Sequence, residues 1–140
     1  MLRRSFLDGV GFFDESRNII TAEDYDLWLR VARAGARIGF LNEVLGEYRI
    51  HGGNQSHGAL RNMHAVMEVF QKHCGALVNS ASFLRKRRRE AIIFYSAARS
   101  LQDSKQFNQA WEYFIRAINH YPWILRIYVA MEFNLFRRSP

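Results

Sequence analysis

The chain has 140 residues, 49% of them apolar and 14% aromatic, which suits one packed domain and excludes a disordered chain. Its 20 basic and 13 acidic residues leave a formal net charge of +7. That balance fits a solvated basic helix face, and also an anionic membrane surface or a nucleic acid as partner. Cys74 is the single cysteine, so an internal disulfide is excluded and a reduced, intracellular setting is the simplest reading.

Met1-Leu2-Arg3-Arg4 is basic, but no apolar run follows it as a secretory signal requires. Residues 3–8 read as a short helix or turn, and "GVGFFDES" as a loop. Thr21 is the predicted N-cap of a helix to about Ala34, with Asp24 three positions later as in a capping box and Gly35 as its stop. Leu27, Val31 and Ala34 recur at helical spacing and are expected to face the core. "RIGFL" (37–41) and "EVLGEYRI" (43–50) read as short strands, and "HGGNQSHG" as a flexible loop.

Near residue 58 the character changes, since seven of the nine glycines lie at or before position 53. From there the pattern predicts helices over 59–74, 82–103 and 107–120, with Pro122 able to start a fourth. Within 91–124, Ala98, Ala110, Phe114, Ala117 and Pro122 fall where a tetratricopeptide repeat places its small, aromatic and proline residues. A plain helical hairpin accounts for them equally well. The basic run Arg85-Lys86-Arg87-Arg88-Arg89 has no interleaved aromatics of the kind a base-stacking groove uses, which makes nucleic acid the less favoured partner. Trp123–Phe136 is the most apolar stretch. It is too short to span a bilayer and is interrupted by Arg126 and Glu132. With Arg126, Arg137 and Arg138 it reads either as a core helix with a basic end or as a helix resting on an anionic membrane surface.

Four pieces follow one another in the first 57 residues: Arg-Arg-Ser, Gly-x-Phe-Asp-Glu, Glu-Asp-x-Asp-Leu-x-x-Arg and Tyr-Arg-x-His. This succession resembles the second half of the catalytic domain of family 2 glycosyltransferases, which have the GT-A fold. The resemblance implies an α+β class: residues 1–57 as the C-terminal part of a GT-A α/β domain, followed by a mostly α-helical region over 58–140. It implies an inverting hexosyltransferase-type reaction from a nucleotide-sugar donor to a saccharide or lipid-linked acceptor of a cell-surface polymer. Asp24 would be the general base, taking the proton of the attacking acceptor hydroxyl. Glu23 would orient the acceptor or the loop, Arg49 would pair with the diphosphate, and Trp28 would line the acceptor pocket. His51 would help hold a divalent metal, Mg²⁺ or Mn²⁺.

Each role has a plainer counterpart. The acids Glu23, Asp24 and Asp26 complement a helix dipole at its N-terminus, with Asp26 the more structural of them. His51 serves equally as a loop residue, Arg49 as a brace on a carboxylate, and Trp28 as packing. The family's parallel strands have no counterpart in the sequence, and no Asp-x-Asp fills the metal role, since Asp24-Tyr25-Asp26 belongs to the acid-pair motif. The chain alone is therefore expected to be inactive, either as a fragment of a split or truncated gene or as one part of a complex whose other chain supplies the donor half. The expected location is the cytoplasm, with peripheral contact at the inner face of the membrane. The alternative is a non-enzymatic helical protein-interaction module in which 59–138 functions and 1–57 is a folded remnant. An exposed apolar groove over 91–138 would favour that alternative, and one packed against residues 24–50 would favour the enzyme.

Overall fold

A computed structural model describes residues 3–47, 58–74 and 80–138. Among them the chain forms six α-helices: α1 (Arg4–Val10), α2 (Glu23–Arg33), α3 (Ala59–Cys74), α4 (Ser80–Asp103), α5 (Phe107–His120) and α6 (Leu125–Arg138). A single 3-10 turn, Arg17–Ile19, precedes α2.

The expected α+β class is overturned, because the described residues contain no strand. Residues 37–47 are irregular and make no backbone hydrogen bond to any described residue. Period-two alternation marks which side chains would share a face, but a strand exists only where a second strand completes its ladder. No described segment lies alongside to do so. The apolar side chains meant for a sheet face are consequently exposed: Phe40 at 90% and Val44 at 94%, with Ile38, Leu41 and Leu45 alike. Residues 48–50 of the second predicted strand, and most of the "HGGNQSHG" loop, lie outside the described residues.

The start of α2 also departs from expectation. Ala22, not Thr21, is the N-cap, and no side chain caps the helix. Thr21 has φ +90°, its backbone N–H donates to Glu23 Oε2 at 2.7 Å, and its hydroxyl bonds Asn62 Oδ1 of α3 at 3.2 Å. The far end is as predicted. Gly35 adopts φ +79° and its N–H reaches Ala32 O, while Ala36 N–H reaches Val31 O, the paired bonds of a Schellman stop. Leu27 and Val31 are buried, but Ala34 is exposed in the last turn.

The helices α4 and α5 form an antiparallel hairpin and make the most extensive contact in the molecule. Ala98, Ala110, Phe114 and Ala117 are fully buried between the helices, where small side chains let the backbones approach closely. The hairpin core continues into α3 through Met63 and Phe70 and into α6 through Ile127 and Ala130. A smaller cluster of Ile19, Ala22, Ala65 and Val69 fixes the 3-10 turn and the start of α2 on α3.

Two buried polar residues set the register of α6. Gln102 Nε2 donates to Ala130 O at 3.1 Å and to Asn134 Oδ1 at 3.3 Å. Asn134 Nδ2 donates to Phe107 O at 3.0 Å. Shifting α6 by one residue would strand these groups without partners, at about 1–3 kcal/mol each. No described helix is long and apolar enough to cross a membrane.

Candidate functional site

The acidic motif on α2 holds a charge cluster centred on Asp26, not on Asp24. Asp26 is completely buried. Its Oδ1 accepts from Lys72 Nζ and from His73 Nε2, both at 2.8 Å, and its Oδ2 accepts from Arg30 Nε at 2.8 Å. Because a carboxylate only accepts, the His73 ring carries its proton on Nε2 in this contact. Lys72 also reaches Asp14 Oδ2 at 2.8 Å. Burial by itself would raise the Asp26 carboxyl, but the bonds from Lys72, His73 and Arg30 outweigh it and hold the group below the ordinary carboxylate range.

Arg30 extends the cluster outward. Its Nη1 donates to Val10 O at 2.5 Å and Gly11 O at 3.2 Å, and its Nη2 to Phe12 O at 2.6 Å. Gly11 has φ +83°, a conformation that turns this loop back over the guanidinium. Asp26 and Arg30, one helical turn apart, thus clamp the loop 10–14 to α2, while Lys72 and His73 clamp both to α3.

The predicted catalytic pair is placed differently. Asp24 is exposed, and its Oδ1 accepts only the neighbouring Tyr25 N–H, at 2.7 Å. Glu23 accepts the Thr21 N–H and shapes the chain entry to the helix. Trp28 is half exposed one turn beyond Asp24 on the same face of α2. Arg49 and His51 lie outside the described residues. No group of three or more His, Cys, Asp or Glu among the described residues could hold a metal ion. Asp14 and Asp26 share the Lys72 ammonium instead.

The second notable surface is the outer side of α6. Ile127, Ala130 and Asn134 face the bundle and are buried. The opposite side, which water normally makes polar, carries Leu125, Val129, Phe133 and Phe136 at spacings of four, four and three residues. All four are exposed, Leu125 and Phe136 at 80%, and Trp123 just before the helix also at 80%. By helical position Arg126 and Arg137, both exposed, run along one edge of this stripe and Glu132 along the other.

At the N-terminal end of α6 the stripe meets a cleft of about 460 Å³. Arg88 and Ile92 of α4, Tyr121 and Trp123 of the connecting segment, and Leu125 and Arg126 of α6 line it. The Arg126 guanidinium stacks 4.9 Å over the Tyr95 ring.

The basic run 85–89 is distributed around α4 and not gathered on one side. Arg87 donates to His120 O at 2.7 Å and Asn119 O at 2.6 Å, capping the C-terminus of α5. Arg89 reaches Tyr25 Oη at 3.2 Å and lies over its ring. Sequence reasoning found the α6 stripe as an apolar stretch but could not orient it. It missed the Asp26 partners altogether, although Lys72-His73 at the end of a predicted helix was a visible pair of hydrogen-bond donors for a carboxylate.

Comparison with protein-family models, with curated proteins and with solved structures finds no match for the chain. The resemblance to family 2 glycosyltransferases and a GT-A segment is therefore corrected. It rested on a succession of short motifs, no family model supports it, and the described residues build helices without a sheet. The most specific of those motifs, Glu-Asp-x-Asp-Leu-x-x-Arg, has a local structural account in the Asp26–Arg30 pair.

Proposed function

We propose that this chain is a non-catalytic helical docking module that seats the outer face of α6 on an anionic membrane surface. The observation that carries the reading is the apolar stripe Leu125, Val129, Phe133 and Phe136, which points away from a core that α6 already serves with its other side. A helix apolar on both sides has a second surface to cover. The stripe lies on the convex back of a helix and not in a groove, which suits a bilayer better than a narrow peptide. Arg126 and Arg137 stand where lipid headgroups would meet them, and the net charge of +7 acts in the same direction.

The magnitudes are adequate for reversible attachment. Each large apolar side chain fully removed from water contributes about 1.5–3 kcal/mol. Each Arg near an anionic surface adds about 1 kcal/mol. Partial insertion of four such side chains offsets the loss of translational freedom without needing a spanning segment.

The test is co-sedimentation of the purified chain with vesicles of phosphatidylcholine alone and with phosphatidylglycerol added. Binding is expected only with the anionic lipid, weakening with salt and lost in Leu125→Asp/Phe136→Asp while the circular dichroism is unchanged. Absence of binding to anionic vesicles overturns the reading. So does concentration-dependent self-association through the same two residues, which would make the stripe a contact between copies of the chain.

A further inference from the structure

We infer that the cleft at the N-terminal end of α6 is a phosphomonoester site, taking the terminal phosphate of a lipid headgroup or of a small soluble ester. The membrane source of that phosphate rests on the docking reading above; the chemistry of the site does not.

Arg88 of α4 and Arg126 of α6 both line one open cleft. Arg88 is exposed on α4 and has no ion-pair or hydrogen-bond partner among the described residues. Arg126 is stacked on Tyr95, whose ring is itself tilted against Phe114 in the hairpin core at a centroid distance of 6.2 Å. Stacking on a ring face restrains the fork but occupies none of its N–H donors, so Arg126 is held in place with its hydrogen bonds still to make. The nearest acid by sequence on α4, Glu90, is engaged by His120 Nδ1 at 3.0 Å. Two like charges facing one cleft with no carboxylate between them are relieved by an anion. A phosphomonoester, with several acceptor oxygens and nearly two charges, matches two planar forks better than a carboxylate does.

The neighbours suit the rest of such a ligand. Trp123 is exposed at the rim, an amphipathic ring of the kind found at the level of lipid headgroups. The Leu125 side chain lines the same cleft and begins the apolar stripe. A phosphate held by Arg88 and Arg126 would thus have its attached apolar chains running along Val129, Phe133 and Phe136.

The experiment has two arms on the full chain. In solution, the Trp123 indole N–H resonance, assigned through Trp123→Phe, is followed while glycerol 3-phosphate is added at constant ionic strength. On vesicles, binding to phosphatidic acid is compared with binding to phosphatidylglycerol at matched surface charge. Saturable shifts in the first arm, or preference for phosphatidic acid in the second, are expected. Either effect should fall about tenfold in Arg88→Gln and further in Arg88→Gln/Arg126→Gln. Arg88 is exposed and makes no hydrogen bond or ion pair among the described residues, so its single substitution keeps the test readable even if Arg126→Gln unfolds the chain. Shifts without lipid preference assign the site to a soluble ester, and preference without shifts assigns it to a headgroup. Equal binding of both lipids with no indole shift, or effects that survive Arg88→Gln, overturn the site. If no anionic vesicle binds at all, the docking reading fails and the solution arm alone decides this one.

Discussion

Asp26 on α2 and Lys72 on α3 lie 46 residues apart in sequence and are joined at 2.8 Å, with the aspartate side chain fully buried and the lysine side chain partly exposed. This pair ties the first third of the described chain to the helical body. Its neighbours Arg30, His73 and Asp14 complete a cluster in which every buried acceptor is satisfied.

Asp26→Asn should therefore be strongly destabilising, by about 3 kcal/mol, since it leaves Lys72, Arg30 and His73 around a neutral amide. Asp24→Asn, two residues earlier on the same helix, should change stability by no more than about 0.5 kcal/mol, because its side chain is exposed. Urea unfolding of both variants checks the contrast. Equal losses would mean that the acids act together at the helix start and not through α3.

The same cluster predicts a pH profile. The Asp26 carboxyl is held low by Lys72, His73 and Arg30 against its burial, and that of Asp14 by Lys72 and then Ser16. Lys72 is raised by its bonds to Asp14 and Asp26. A depressed carboxylate contributes stability above its unfolded value, about 3.9, and loses it as the pH falls through the lower folded value. A raised lysine contributes fully below its unfolded value, about 10.4, and loses that contribution as the pH rises through the higher folded value. Stability from these groups should be level between those limits and fall on both sides. Denaturation midpoints measured from pH 2.5 to 11 should show an acid limb that is shallower in Asp26→Asn. An unchanged limb would remove the cluster from the account.

The end of α4 predicts a stabilising change. Lys105 adopts φ +60° and Gln106 N–H bonds Leu101 O at 2.9 Å, so a lysine occupies the left-handed position of a Schellman stop. That conformation strains any residue with a Cβ, and Lys105→Gly should add about 0.5 kcal/mol. Thermal unfolding should show a higher midpoint. A lower one would mean that the lysine makes a contact that outweighs the strain.

The exposed segment 37–47 predicts a substitution that leaves the fold untouched. Phe40 and Val44 pack on nothing among the described residues, so Phe40→Lys/Val44→Lys should leave the unfolding midpoint within about 0.5 kcal/mol of the parent. Light scattering of concentrated samples should fall, because an unpaired, apolar, strand-prone segment is a template for association. A clear loss of stability would show that these side chains are covered after all.

The helices were legible because their signal is local. The spacing of apolar residues over 59–74 and 107–120 matches α3 and α5 residue for residue, and the turn at Lys105 follows the predicted end of α4. Ala98, Ala110, Phe114 and Ala117 were singled out because they fall at the small and aromatic positions of a tetratricopeptide repeat, and all four are buried. The misreading of residues 1–57 has an equally physical origin. Glu-Asp-x-Asp-Leu-x-x-Arg resembles a catalytic motif. The same letters describe a helix whose third acid and arginine, four positions apart, hold a loop.

By itself the sequence determined where the chain would be helical, where α2 would stop at Gly35, and that Trp123–Phe136 would be apolar and too short to cross a bilayer. These properties depend on neighbours within one or two turns. Only the tertiary structure decided which acid would be buried, because Lys72 and His73 come from a helix far along the chain. It also decided that 37–47 would form no strand, since a ladder needs a partner that no described segment provides. Last, it decided which side of α6 would face outward. Both sides are apolar, so periodicity cannot choose between them; the bonds of Asn134 to Gln102 and Phe107 turn Ile127 inward and leave Leu125 and Phe136 in water.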